Sequence, residues 1–474
     1  MYKYILVLLI LSYKISAQST IDRVTINGRD AWSSLRSVEK VGEHFYVGGY
    51  SGDQSVEDNV IVSKLNASGQ ILWMYEEQTQ GQVATYDVTS FPNNKIVVAS
   101  TRVPDYRNLE LTFDQLDENG NLMNSTSIFT NDSTDYEGLR AEYSADFGYV
   151  ATARTVRNIS LNDCTVPMIV KFADNFTSSS FVELNTLLDY GCFEIYDVRY
   201  FSDEEILVTA SVHQDSTDLK LFSFTLDQEL NWETTINYGA FSRIRFIEKD
   251  ASGDLILAGF SENEREEYLT FFEKRNGDGT LITNSLIQHG DTLSILSDGY
   301  LREDGKVALL YNVYNDNLDF RMRYSIFNEN MELFKTENLP LTAPGVYEEG
   351  NDILYTMDNQ VAIVGQYSME PDYNPNGLFL LAKADVVSSL IDGHDSGSPK
   401  ITIYPNPLRD KVSIDCKCAG TYSVEVFNSI GSKLYTSASN FGLATIEDWN
   451  FTAGTYYIRI SNDDFTYTKK VVAQ

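Results

Sequence analysis

The chain runs to 474 residues and carries 68 acidic against 36 basic side chains, a formal net charge of −32. That length exceeds one ordinary domain, and so acidic a chain has no basic stripe with which to meet phosphates, which excludes nucleic acid as a partner. Thirty Tyr and twenty-five Phe exclude a disordered chain, because disorder requires too little apolar surface to build a core.

At the start, Lys3 precedes the apolar run Ile5 to Leu11, and Ser16-Ala17 places small residues before Gln18. A basic start, a short apolar run and small residues make a secretory signal peptide, so residues 1–17 are expected to leave after Ala17 and take no part in the fold. The run is too short to span a bilayer, and no later segment reaches eighteen consecutive apolar residues.

From residue 30 to 390 a hydrophobic quartet recurs: Phe45 to Gly48, Ile96 to Ala99, Tyr149 to Thr152, Ile206 to Thr209, Leu255 to Ala258, Val307 to Leu310 and Val361 to Val364. With Val47, Val98, Ala151, Val208, Leu257, Leu309 and Ile363 taken as equivalent, the steps are 51, 53, 57, 49, 52 and 54 residues. A period this long belongs to a propeller or an array. Each unit has one grammar: strand, tight turn, quartet strand, polar loop, third strand, second turn, fourth strand. In the first unit the strands are expected near 35–40, 45–50, 60–65 and 70–76. The turns carry Gly, Asn and Asp, as at Gly42-Glu43, Asp304-Gly305, Asn66 to Gly69, Asp117 to Gly120 and Asn328 to Asn330, because these residues tolerate the positive φ of hairpin turns.

Four antiparallel strands without a helical period form a sheet that cannot bury both faces alone, and radial packing of such sheets is a β-propeller. The expected fold is therefore all-β: a seven-bladed β-propeller over residues 18–391, with the quartets as inner-to-middle strands. Val47 to Ser51 and Ser63 to Gly69 resemble the propeller repeats of secreted bacterial proteins. An open ring leaves an unpaired edge, so blade seven needs an outer strand. Ile21 to Asn27 and Val386 to Ile391 both qualify, and residues 392–399, rich in Gly, Ser, His and Asp, form a linker.

Export puts the four cysteines in an oxidising setting. Cys164 falls in the loop between the second and third strands of unit three and Cys192 in the connection to unit four; a propeller brings these two kinds of loop to one face. The pair is expected to form a disulfide, worth about 3 kcal/mol on the loop-entropy account. Cys416 and Cys418 flank Lys417 on one strand, where side chains share a face but diverge, so a direct bond would be strained.

His44, His213, His289 and His394 lie in different units or in the linker, and no two have metal-ligand spacing. No cofactor or metal is expected. Carboxylates and aromatics instead gather on the loop face that follows the quartets: Asp53, Asp58, Tyr106, Asp215, Glu262, Glu266, Tyr314, Asp372 and Tyr373 are the candidate binding residues. Aromatic platforms beside carboxylates suit sugar rings or a bound cation. The expectation is a non-enzymatic binding or adhesion propeller for a glycan or protein ligand. The alternative is a polysaccharide-active hydrolase or lyase, which a pair of carboxyls about 5 to 10 Å apart in a deep central pocket would favour.

Residues 400–474 form a compact all-β segment. Tyr404-Pro405-Asn406-Pro407 is a rigid extended entry, since two prolines fix φ and remove donors, and a first strand is expected at 411–415. Val412, Ile414, Tyr422, Val424, Val426, Tyr456, Ile458 and Ile460 alternate toward a common core. A turn at 428–431, a terminal hairpin from Gly454 to Ile460, and Lys469-Lys470 before a final apolar pair complete the order. This order resembles the type A C-terminal sorting domain of the Bacteroidetes type IX secretion system, with Trp449 to Phe451 departing from that family's Leu-rich approach to the last hairpin. The resemblance implies a small β-sandwich, the secretion machinery as partner, and a product that is secreted or attached to the outer-membrane surface.

Overall fold

The protein is described by a computed structural model. It covers residues 22–28, 32–52, 58–79, 82–92, 94–103, 110–128, 135–144, 148–159, 162–173, 179–190, 193–212, 219–238, 241–262, 268–287, 293–314, 320–339, 346–369, 375–383, 401–404, 411–428, 433–446, 452, 454–461 and 466–473. Two compact units divide the chain near residue 384. The expected signal peptide, the 392–399 linker and Val386 to Ile391 lie outside the described residues.

The larger unit is a seven-bladed β-propeller of seven four-stranded antiparallel sheets. In blade one the strands run from hub to rim as Trp32–Val41, His44–Gly52, Asp58–Leu65 and Ile71–Gln78. The other inner strands are Gln82–Phe91, Asp135–Ser144, Phe193–Ser202, Phe241–Lys249, Leu293–Leu301 and Val346–Tyr355. Every quartet lies on the second strand of its blade, where both faces press on neighbouring blades; this is why these strands are apolar without alternation. Rim strands, wet on one side, alternate instead, and the pattern of Leu230–Ile236 switches between half-buried and exposed at each step.

Turn chemistry follows the expected residues. Gly42, Asn94, Gly148, Gly253, Gly305 and Asn359 hold positive φ in the first turns, and Gly69, Gly120 and Gly279 in the second. Two differ: in blade four the positive φ, 67°, falls on Gln228, and in the turn begun by Asn328 it falls, at 62°, on Met331. Met331 occupies the position of Gly69, three residues after the Asn whose carbonyl accepts its N–H. The Asn328 side chain supports the turn by accepting from the N–H groups of Asn330 and Glu332 at 3.0 and 2.9 Å.

Adjacent blades share cores. Phe91, Val97 and Phe113 of blade two pack with Tyr149, Ala151 and Met168 of blade three. At the rim, the Trp73 indole N–H donates to the Glu118 carbonyl of the next blade at 2.9 Å. The ring closes through Asp22–Ile26, which pairs antiparallel with Asn376–Lys383 as the rim strand of blade seven. Phe45 and Leu35 of blade one then pack against Phe379 and Val364 of blade seven. The N-terminal segment, of the two expected to qualify, is thus the closing strand.

The C-terminal unit has five strands, Ile401–Tyr404, Val412–Asn428, Lys433–Ile446, Gly454–Ser461 and Thr466–Ala473. The separate strands expected at 411–415 and 422–427 are one, irregular between Cys416 and Thr421, so it pairs with Ile401–Tyr404 at one end and Gly454–Ser461 at the other. All eight residues expected to face inward share a single core, joined by Ile403, Ile446 and Val471. No helix of the described residues is long and apolar enough to cross a membrane.

Candidate functional site

Each inner strand is interrupted once, at the same place. The register shifts between Leu35 and Ser37, Thr85 and Asp87, Gly138 and Arg140, Ile195 and Asp197, Ile244 and Phe246, Leu296 and Asp298, and Gly350 and Asp352. A β-bulge leaves one residue unpaired and re-aims the side chains around it. The seven unpaired residues, Arg36, Tyr86, Leu139, Tyr196, Arg245, Ser297 and Asn351, all line a cavity of about 950 Å³ at the hub. A volume of that order suits a small ligand rather than a buried water.

The residue after each bulge forms the next row: Ser37, Asp87, Arg140, Asp197, Phe246, Asp298 and Asp352. All but Phe246, which turns into the core, line the same cavity. This row ties blades together. Asp87 accepts from the Ser37 hydroxyl of blade one at 2.7 Å, from its own neighbour Val88 N–H at 2.8 Å and from Ala141 N–H of blade three at 2.8 Å. Asp352 accepts from Val38 N–H of blade one at 2.7 Å and from Ile353 N–H at 2.6 Å. Arg140 Nε lies 3.0 and 3.1 Å from the two Asp197 oxygens, and its Nη2 lies 3.9 Å from Asp298.

Burial acts on Asp87, Arg140, Asp298 and Asp352. It pushes the carboxyls of Asp87, Asp298 and Asp352 up, Asp352 furthest because the Asp298 charge adds to it. Asp298 and Asp352 are hydrogen-bonded to each other. The Arg140 charge works against this rise at Asp298, while the Asp298 charge and hydrogen bond reinforce it at Asp352. For Arg140 burial works against the charge, and Asp197 and Asp298 more than offset it.

A second cavity, of about 620 Å³, lies on the opposite side of this row and shares Ser37, Asp87 and Asp352 with the first. Glu39 faces it; elsewhere on the inner strands Glu142 and Glu248 flank Arg199, with Arg199 Nη2 donating to Glu248. Among the described residues no group of three or more His, Cys, Asp or Glu is placed to hold a metal ion.

The larger cavity opens on the expected loop face. Of the candidate residues, Asp58 and Tyr314 line it. Asp58 is buried and accepts from Val83 N–H at 3.3 Å; burial pushes the Tyr314 hydroxyl up to about 12. Glu262 stands apart, accepting from the Tyr268 hydroxyl at 3.2 Å. Asp53, Tyr106, Asp215, Glu266, Asp372 and Tyr373 lie outside the described residues, as do His213, His289 and His394. Cys164 is buried on Asn162–Phe172, while Cys192 lies outside them. Of the sorting motif, Tyr404 ends the first strand of the C-terminal unit, Gly454 opens its fourth, and Lys469 and Lys470 lie on its last; Pro405, Asn406 and Pro407 are not among the described residues.

Sequence reasoning missed the hub. The signal was a fixed offset: Asp87, Asp197, Asp298 and Asp352 each stand twelve residues before the last residue of their quartet.

Residues 402–474 match the family model of the secretion system C-terminal sorting domain. No curated protein matches the chain in sequence. Among solved structures, similarity extends to the polysaccharide lyase Uly1, at 10% identity and a TM-score of 0.46 over 74% of this chain and 90% of that one. Puromycin hydrolase is similar at 12% identity and a TM-score of 0.47, over 83% of this chain and 61% of that one. The β-propeller domain of the Trilobed protease from Pyrococcus furiosus is similar at 12% identity and a TM-score of 0.43, over 74% of this chain and 93% of that one.

Proposed function

Because the chain ends in a sorting domain of the type IX secretion system, we propose that it is an exported binding protein whose propeller takes a glycan in the hub cavity. The observation that carries this is the division of labour along the inner strands. The carboxylates of the inter-blade row are occupied in holding blades together, whereas the bulged residues form the cavity wall itself, with Arg36, Ser297 and Asn351 each also bonded to a group of the neighbouring blade. Tyr86 and Tyr196 supply aromatic wall, and Ser297 and Asn351, whose donors are held by the Gly350 and Leu35 carbonyls, add polar groups of the kind that saccharide hydroxyls require.

Catalysis is the second reading, and the Asp298–Asp352 pair is what favours it. Two hydrogen-bonded carboxyls stand closer than the separation glycosidases use. With one partner held by Arg140 and the other by two backbone N–H groups, neither is free to transfer a proton to a substrate. Binding is therefore preferred.

The rest of the reading concerns delivery. Residues 1–17 act as a signal peptide, 18–391 as the working propeller domain, 392–399 as a linker and 400–474 as the sorting domain, leaving a product that is released or held at the outer-membrane surface. A Cys164–Cys192 bridge forms on export, consistent with there being no free cysteine among the described residues. The test is a glycan and polysaccharide screen of the full chain, followed for hours. Retention without new reducing or unsaturated ends supports binding; accumulating product selects the enzyme; no retention defeats the glycan reading.

A further inference from the structure

Three arginines line the larger hub cavity, and two of them, Arg36 and Arg245, make no ion pair with a carboxylate among the described residues. Arg140 is committed to Asp197 and Asp298. Arg36 donates to Asn351 Oδ1 at 3.1 Å and to the Tyr50 hydroxyl at 2.8 Å, both neutral groups. Arg245 makes no hydrogen bond and no ion pair among the described residues; its guanidinium carbon lies 5.8 Å from the centroid of the Phe260 ring, and the side chain is exposed to the cavity.

A guanidinium in a concave wall ordinarily recruits a carboxylate from its own chain, and this chain has an excess of them. Here the nearest are already used. Among the described residues, Asp197 is engaged by Arg140, Asp298 faces Arg140 and Asp352, and Glu194 faces Arg243 at 3.8 Å. Burial, and after it the neighbouring Arg243, push Arg245 below the usual arginine range, by more than the charges of Asp298 and Asp197 offset. The reason it is there is local. In blade five the residue after the bulge, Phe246, turns into the core, so Arg245 is the only polar group that this bulge offers the hub.

We propose that the hub cavity takes an acidic saccharide and that Arg245 pairs with its carboxylate or sulfate. This rests on the reading of the cavity as a glycan site. A planar guanidinium binds such groups through two parallel hydrogen bonds. The wall around it, with the Tyr196 ring, Ser297 and Asn351, suits sugar rings and hydroxyls better than a peptide's apolar side chains. The net charge of −32 does not forbid this. Surface charges are screened beyond about 8 Å at physiological ionic strength, whereas a pair formed inside a cavity is screened much less.

The test uses the full chain and matched probes: oligogalacturonate against its methyl ester, and dextran sulfate against dextran, with a polyglutamate peptide as a fifth ligand. Binding is measured calorimetrically for the wild type, Arg245→Gln and Arg245→Lys. One acidic probe should bind at least tenfold more tightly than its neutral partner. Arg245→Gln should remove that preference and leave affinity for the neutral partner within about twofold; Arg245→Lys should keep part of it. Whichever pair responds tells carboxylate from sulfate. Since Arg245 has no hydrogen bond or ion pair to lose among the described residues, and only a contact with the Phe260 ring, the glutamine variant should melt within a few degrees of the wild type, which separates lost recognition from lost folding. Equal affinity for acidic and neutral probes overturns the inference and leaves the glycan reading standing. If no saccharide binds, both fall, and polyglutamate binding alone replaces the saccharide with an acidic peptide.

Discussion

Glu39→Gln is the sharpest probe of how dry the hub is. Glu39 Oε2 is buried with no hydrogen-bond partner. Burial pushes the carboxyl up from an ordinary 4.5 to about 7, against a hydrogen bond from Ser90 and helped by the charge of Asp87. Each pH unit of displacement is worth about 1.4 kcal/mol, so the ionised side chain costs the fold about 3 kcal/mol. The folded protein holds this proton more tightly than the unfolded chain. The group's favourable contribution is therefore complete below about pH 4.5 and lost as pH rises through 7. Glutamine keeps the shape and never ionises. In urea unfolding followed by tryptophan fluorescence, Glu39→Gln should exceed the wild type by up to about 3 kcal/mol at pH 8.5 and match it within about 1 kcal/mol at pH 5. A wild-type-to-variant difference that is the same at both pH values would show that water reaches Glu39 and would refute the reasoning.

Asp87→Ala should destabilise the propeller by about 2 to 4 kcal/mol in the same assay, because the Ala141 N–H and the Ser37 hydroxyl lose their acceptor inside the hub. Gly120→Ala should cost about 2 kcal/mol or more by thermal unfolding: Gly120 sits at φ 82°, and a methyl group there would lie 2.8 Å from the Trp73 ring, so the Trp73 emission should also shift. Deleting 400–474 should leave the propeller's unfolding transition intact while the protein stays in the periplasm, checked by cell fractionation; a truncated chain that still reaches the medium contradicts the sorting reading.

The blades were legible because two physical constraints write directly into sequence. A second strand pressed on both faces must be apolar throughout, hence Leu255 to Ala258 and its six counterparts. A hairpin turn with positive φ must take Gly, Asn or Asp, and only Gln228 and Met331 depart from this among the described turns. The hub was illegible for a third reason. A bulge adds one residue to the inner strand and so inverts the in–out alternation midway; Leu35 and Ser37, two apart, do not belong to one face as an unbroken strand would have them. The candidate site was sought where acids are densest, in the loops, and of the three candidates among the described residues Asp58 and Tyr314 lie on the cavity wall. Acid density marks solvated surface, whereas the carboxylates that matter to the ring are single residues on buried strands.

The same bulge explains why stability and recognition can be separated in this fold. It pushes one residue per blade into the cavity without a strand partner and turns the next toward the neighbouring blade. The second row is chemically conservative where it bridges blades, with Asp at four of seven positions, each accepting a backbone N–H. The first row has seven residues of five kinds, and at Arg245 it holds a charge that makes no hydrogen bond and no ion pair among the described residues. Asp87→Ala and Arg245→Gln therefore have opposite signatures: the first lowers stability and reaches any ligand only through the ring's geometry, the second spares stability and removes a charge preference. A propeller built this way can change what it binds by exchanging bulged residues, with the inter-blade row left in place to hold the cavity's shape.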